Sequence, residues 1–154
     1  MRGYFGVGIY QPRHEDNVGT LWRSAHTYGA KFIATIGHRY QHQASDTCKT
    51  PYSTPLHHYR DAEDLFEHLP HGCQLVGVEL ASQSVPLTEF RHPHNAMYLL
   101  GAEDHGLPPW VLQRCHHVVQ IPTPNTWSLN VAVAGSLVMH DRYTRGTAPK
   151  GLTA

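Results

Sequence analysis

The chain has 154 residues, the length of one domain, and at this size roughly 68–70% of the unfolded surface is buried on folding. Twelve Lys and Arg balance twelve Asp and Glu for a formal charge of zero, which excludes a surface dominated by one sign; 40% hydrophobic against 16% charged residues excludes a disordered acidic or basic chain. No apolar run approaches the roughly 20 residues that a membrane-spanning helix needs, and no leader-like apolar segment follows Met1, so the sequence predicts a soluble, cytoplasmic protein.

Tyr4 to Tyr10 is short, aromatic and β-branched, and predicts a buried strand ending before Pro12. Asn17 to Tyr28 carries Val18, Leu21, Trp22 and Ala25 at helical spacing, with Gly29 as its stop. Lys31 to Ile36 is a second strand, so the first 36 residues predict a βαβ unit with parallel strands. Gly37 to Pro55 is polar and aperiodic, a long loop of the kind that is usually functional. A helix is expected over Tyr59–Leu69, strands over Gln74–Leu80 and Ala96–Leu100, and a proline-started helix over Pro108–Arg114. A strand over His117–Ile121 and a long helix over Ser128–Tyr143 complete the pattern, followed by a tail, 146–154, expected to be flexible. Alternating strands and helices predict a single α/β domain over 1–154, with a mostly parallel sheet of five or six strands and helices on both faces.

Three cysteines, Cys48, Cys73 and Cys115, are too few and too widely spaced for a disulfide framework and suit a reducing compartment. Fourteen histidines invite a metal reading at His57-His58, His92-x-His94 and Cys115-His116-His117. Adjacent residues point apart, however, and no His pair has i, i+4 spacing around a carboxylate, so no metal is expected. The Gly-rich nucleotide loops, the zinc-protease helix motif and the nucleophile elbow are all absent; Gly6-Val7-Gly8 lies inside a strand, where close packing explains it better than a dinucleotide turn.

Three turns at strand ends carry the chemistry, because an open parallel sheet binds ligands beyond the carboxyl ends of its strands. The first, Gln11–Gly19, offers Asn17 as a helix cap, and Arg23 reaches either an anion at the helix mouth or only solvent. The second, Leu100–Pro108, holds Gly101 and Gly106 around Glu103 and Asp104; Gly101 would allow close approach of a flat ligand, and Glu103 can cap a helix, bind a hydroxyl or face solvent. The third, Ile121–Asn130, offers Ser128 as the helix cap and Asn130 in the first helical turn.

In this order and spacing the turns resemble the three motifs of the SpoU/TrmH branch of the SPOUT superfamily of RNA methyltransferases. The first motif is Asn17-Val18-Gly19-Thr20-Leu21-Trp22-Arg23, the second Leu100-Gly101-Ala102-Glu103-Asp104-His105-Gly106-Leu107, and the third Ile121-Pro122 with Ser128-Leu129-Asn130-Val131-Ala132-Val133-Ala134. The resemblance spans nearly the whole chain, at the size of minimal members such as the tRNA wobble-position ribose methyltransferase. It implies a C-terminal deep trefoil knot, a homodimer, and S-adenosylmethionine held by Leu80, Gly101, Ile121, Ser128 and Leu129. It also implies methyl transfer to a ribose 2′-hydroxyl of RNA, with tRNA ahead of rRNA, catalysed by Arg23 with Asn17, Glu103, Ser128 and Asn130 shaping the site. RNA binding would draw on Arg13, Arg23, Arg39, Arg142 and Arg145. The segment Ile121–Ser128 is about one residue shorter than the resemblance leads one to expect, and Trp127 would either wall the adenine pocket or pack at the dimer contact. The alternatives are a non-catalytic RNA-binding or assembly protein on the same fold, and a His-rich metal-dependent hydrolase.

Overall fold

A computed structural model describes residues 3–41 and 53–148. Its first unit is the expected βαβ: β1 (Phe5–Tyr10), α1 (Glu15–Thr27) and β2 (Phe32–Ile36), with Gly6 aligned to Phe32 and Tyr10 to Ile36. There follow β3 (Leu56–Tyr59), α2 (Ala62–His68), β4 (Gln74–Val78), β5 (Val85–Pro86), β6 (Ala96–Leu100), α3 (Pro109–Arg114), β7 (His117–Gln120) and α4 (Val131–Arg145). The seven strands form one parallel sheet in the order β3-β2-β1-β6-β4-β7-β5.

Side-chain alternation splits the core into two layers. Val7, Ile9, Ile33, Val76, Tyr98 and Leu100 face α1 and α4, whereas Phe32, Ile36, Leu75, Met97 and Leu99 face α2 and α3. Helices therefore cover both faces, as predicted. On the second layer β1 presents Gly6 and Gly8: a Cβ on Gly6 would stand 2.3 Å from the Phe32 ring, so close packing accounts for that glycine pair.

Among the described residues the sheet has seven strands, one more than the upper expectation of five or six, because both sheet edges are short and unpatterned. Leu56–Tyr59 contains His57 and His58 and is only partly buried, and Val85–Pro86 is two residues long. Since Tyr59 belongs to β3, the next helix starts later than predicted, with Asp61 accepting from the Asp64 amide at 2.8 Å as its cap.

Arg142 corrects another expectation. Its guanidinium is buried, donating to the Pro93 carbonyl (2.7 Å), the His94 carbonyl (2.9 Å) and the Tyr98 hydroxyl (3.1 Å). It anchors α4 to the sheet instead of facing RNA. Thr147 then bridges to His92, so the chain is tied down to Ala148, and the rest of the tail lies outside the described residues, as does Cys48.

Candidate active site

The central strands β4, β6 and β7 end together, and the loops that leave them enclose a cavity of about 280 Å³. That is near the lower end of the roughly 300–1,000 Å³ range of ligand pockets. Leu80 borders it after β4, Gly101 to Gly106 after β6, Ile121 and Trp127 to Leu129 after β7, and Val131 and Ala134 from α4. Leu80, Gly101, Ile121, Ser128 and Leu129 thus line one space, and Trp127, 85% exposed, forms part of its rim.

Asn130 rather than Ser128 caps the last helix. Its Oδ1 accepts from the Ala132 and Val133 amides at 2.9 and 3.2 Å, and Ser128 stays in the exposed loop. The cap falls two residues later than expected because Pro122 and Pro124 keep the exposed run 122–130 out of the helix as the chain leaves β7. Asn17 is not a cap either: α1 starts at Glu15 after His14, which places Asn17 in the first turn with its amide free for tertiary contacts. Asn130 Nδ2 donates to Asn17 Oδ1 at 2.9 Å, and Asn17 Nδ2 donates to Glu103 Oε1. Corners from three distant stretches of chain are joined by two side-chain hydrogen bonds.

Gly101 serves the loop itself. A Cβ there would stand 2.4 Å from the Gly106 carbonyl carbon, where the loop closes through the Gly106 amide on the Ala102 carbonyl (2.9 Å) with Gly106 at φ +61°. Glu79 was missed by the sequence reading, which stopped at its neighbour Leu80. One carboxylate oxygen accepts from the Leu80 amide (2.9 Å) and the other from the Leu107 amide (2.8 Å), fastening the β4 exit to the β6 exit. A lone glutamate after a strand carries no sequence signal for this; only the adjacency of β4 and β6 reveals it.

Arg23 does not border the cavity. It lies two turns along α1 from Asn17, exposed, with no side-chain partner among the described residues. Of the other arginines, Arg13 pairs with Asp104, and Arg145 pairs with Asp141 while donating to the Thr88 and Phe90 carbonyls. The histidine pairs are engaged one by one: His58 with Thr35 Oγ1, His92 with Tyr98 and Asp141, His117 with Gln74, and His116 accepting from the Leu75 amide. Among the described residues no three His, Cys, Asp or Glu side chains stand together as metal ligands.

The SpoU rRNA Methylase family model matches residues 5–140. The chain belongs to that family. An AdoMet-bound rRNA methyltransferase from Sinorhizobium meliloti superposes with a TM-score of 0.83 at 23% identity, over 94% of this chain and 57% of that one. A structure titled for the 2-OH methylation of C/U34 on tRNA superposes at 0.80 with 25% identity, over 94% of this chain and 97% of that one. The mouse tRNA (guanosine(18)-2'-O)-methyltransferase TARBP1 is 39% identical over 75 residues, 48% of this chain but only 5% of that protein. S-adenosylmethionine is the cofactor of the SpoU family.

The residues present fit that group. Among the described residues the cavity lining carries Glu79 and Glu103 and no lysine or arginine, with Asp104 already paired to Arg13, which favours a ligand bearing a sulfonium. Oε2 of Glu103 is buried with no hydrogen-bond partner among the described residues, an acceptor that a ligand donor can satisfy.

Proposed function

We propose that this SpoU family member is an S-adenosylmethionine-dependent RNA methyltransferase acting on a ribose 2′-hydroxyl, with tRNA ahead of rRNA as substrate. The observation that carries the reading is the hydrogen-bonded line Asn130–Asn17–Glu103, which meets at Glu103 a cavity walled by the loops after β4, β6 and β7. Preference for tRNA rests on the wobble-nucleotide structure, which this chain matches almost end to end.

The cofactor supplies an activated methyl group, and the protein's task is alignment. Fixing the ribose oxygen in line with that group can contribute on the order of 7–11 kcal/mol. Leu80, Gly101, Ile121, Ser128 and Leu129 hold the donor, Glu79 keeps two of their loops in register, and Asn17 and Glu103 define the edge where the ribose enters. Arg23 serves as an orienting, charge-stabilising donor to the ribose oxygen, since a guanidinium with a pKa above about 12 is a poor proton acceptor. Because Arg23 lies outside its own chain's cavity, the reading includes a homodimer. The surface for it is on α4, where Val133 and Leu137 are 47% and 42% exposed beside α1, whose Ser24 is hydrogen-bonded to Ser136 at 2.8 Å. The trefoil knot belongs to the same reading.

The test is incubation with tritiated S-adenosylmethionine and unfractionated tRNA or rRNA, followed by mass-spectrometric mapping of the labelled nucleoside. A 2′-O-methylated nucleotide in tRNA is expected; label confined to bases, or none in either RNA, overturns the reading.

A further inference from the structure

A second cleft, of about 780 Å³, lies at the carboxyl ends of β1 and β2 and shares Ala102, His105 and Gly106 with the cofactor cavity. The two spaces are therefore opposite sides of one loop. Asn17, whose amide reaches Glu103 on that loop, sits three residues from His14 on the cleft's border. The cleft has a fixed corner: Gln11 takes φ +51°, the one non-glycine positive φ among the described residues. Its amide is bonded to the Ile36 carbonyl at 2.7 Å and its side chain lies against Gly37.

The lining is unusual in chemistry. Three imidazoles, His14, His38 and His105, border it together with Tyr10 and Pro108. Among the described residues its only formally charged lining residue, Arg13, is already paired with Asp104. Flat rings with hydrogen-bonding edges and no spare charge suit an unstacked nucleobase, which RNA-binding proteins stack on aromatic and histidine side chains, and do not suit a phosphate cluster.

We propose that this cleft binds the base of a nucleotide neighbouring the one whose ribose is methylated, with His38 and His105 as specificity-determining residues. The inference rests on the RNA reading of the adjoining site. A nucleotide chain entering past Asn17 has one cavity on each side of the loop, the donor on one and the base on the other.

Both histidines are exposed, so their removal leaves the core untouched. The probe is unfractionated tRNA, with affinity measured by filter binding across a salt series for wild type, the double variant His38→Ala/His105→Ala, and the control His71→Ala at the opposite end of the sheet. The double variant is expected to bind tRNA about tenfold more weakly, the loss of roughly one stacked base, with an unchanged log–log salt slope. The single variant His38→Ala, whose side chain lies outside the cofactor cavity, keeps the wild-type S-adenosylmethionine affinity by calorimetry, and His71→Ala matches wild type throughout. Equal tRNA affinity in wild type and double variant overturns the subsite alone. A shallower salt slope in the double variant overturns the base assignment, because it reports phosphate contact. Wild-type protein that binds S-adenosylmethionine but no RNA overturns the functional reading and this proposal with it.

Discussion

Asn130 and Asn17 stand 113 positions apart in the chain, and the side-chain amide of the first donates to the side-chain oxygen of the second at 2.9 Å. Asn130 has two tasks, since its own oxygen caps α4. The tasks can be separated. Asn130→Ala should cost about 1 kcal/mol of stability through the lost cap and lower methyl transfer as well. Asn130→Ser keeps a capping oxygen but is too short to hold Asn17. Its urea midpoint should stay near wild type while turnover falls about tenfold, the worth of one lost hydrogen bond. Full turnover in the serine variant would show that the link to Asn17 has no catalytic consequence.

Glu79 joins two loops through two backbone amides, and Gln cannot reproduce both bonds because one acceptor becomes a donor facing an N–H group. For Glu79→Gln the dissociation constant for S-adenosylmethionine should rise about tenfold or more, as expected for loss of a charge-assisted hydrogen bond. The single-turnover rate at saturating cofactor should stay within about threefold of wild type, because the residue acts on the loops and not on the ribose. Calorimetric titration and rapid quench read the two quantities separately. A lowered rate with unchanged affinity would contradict this assignment.

What the sequence disclosed and what it hid follow from range. The strands β1, β2, β4, β6 and β7 are legible because runs such as FIATI and AMYLL are buried on both faces, and α1 is legible because Val18, Leu21, Trp22 and Ala25 recur at helical spacing. The edge strands were hidden because half-exposed histidines and a two-residue pairing leave no periodic trace. The cavity residues were found through their motif order, and they do line a common space. Capping was misread at both Asn17 and Ser128: Ser, Asn and Asp are near-equal caps, so local chemistry could not choose Asn130 over Ser128. Glu79 and Arg142 were beyond reach altogether, since their partners lie 28 and 44–49 residues away.

His92 gives the fold a pH dependence. Its ring is fully buried between the Tyr98 hydroxyl (2.7 Å) and Asp141 (2.8 Å). Burial holds its pKa below the ordinary value of 6.5, with Arg142 and Arg145 pushing the same way and Asp141 opposing them. The unfolded chain therefore takes up a proton that the folded chain refuses. The stabilisation is complete above about pH 6.5 and is lost as pH falls below it. His58 and His117 shift in the same direction, so the whole protein should melt lower at pH 5.5 than at pH 7.5. His92→Gln, which keeps a partner for Tyr98 without a titrating group, should flatten that slope. Parallel melting-temperature profiles for variant and wild type would remove His92 from the account.

In the proposed reaction Arg23 orients the ribose oxygen, and its surroundings make a sharp test possible. Exposed on α1 and unpartnered among the described residues, it can be removed without disturbing the core, so lost activity would not reflect lost folding. Arg23→Ala should lower methyl transfer by about 10²–10³, the usual cost of deleting a donor aimed at developing charge. Cofactor affinity should remain at the wild-type value because Arg23 does not border the cavity. If Arg23 works at a dimer contact, mixing Arg23→Ala protomers with protomers disabled at Glu103 restores part of the activity, since one mixed arrangement contains an intact pair. Absence of any restoration in demonstrably mixed dimers would mean that Arg23 and Glu103 act within one chain, and weakened cofactor binding in Arg23→Ala alone would mean that the guanidinium holds the donor instead of the ribose.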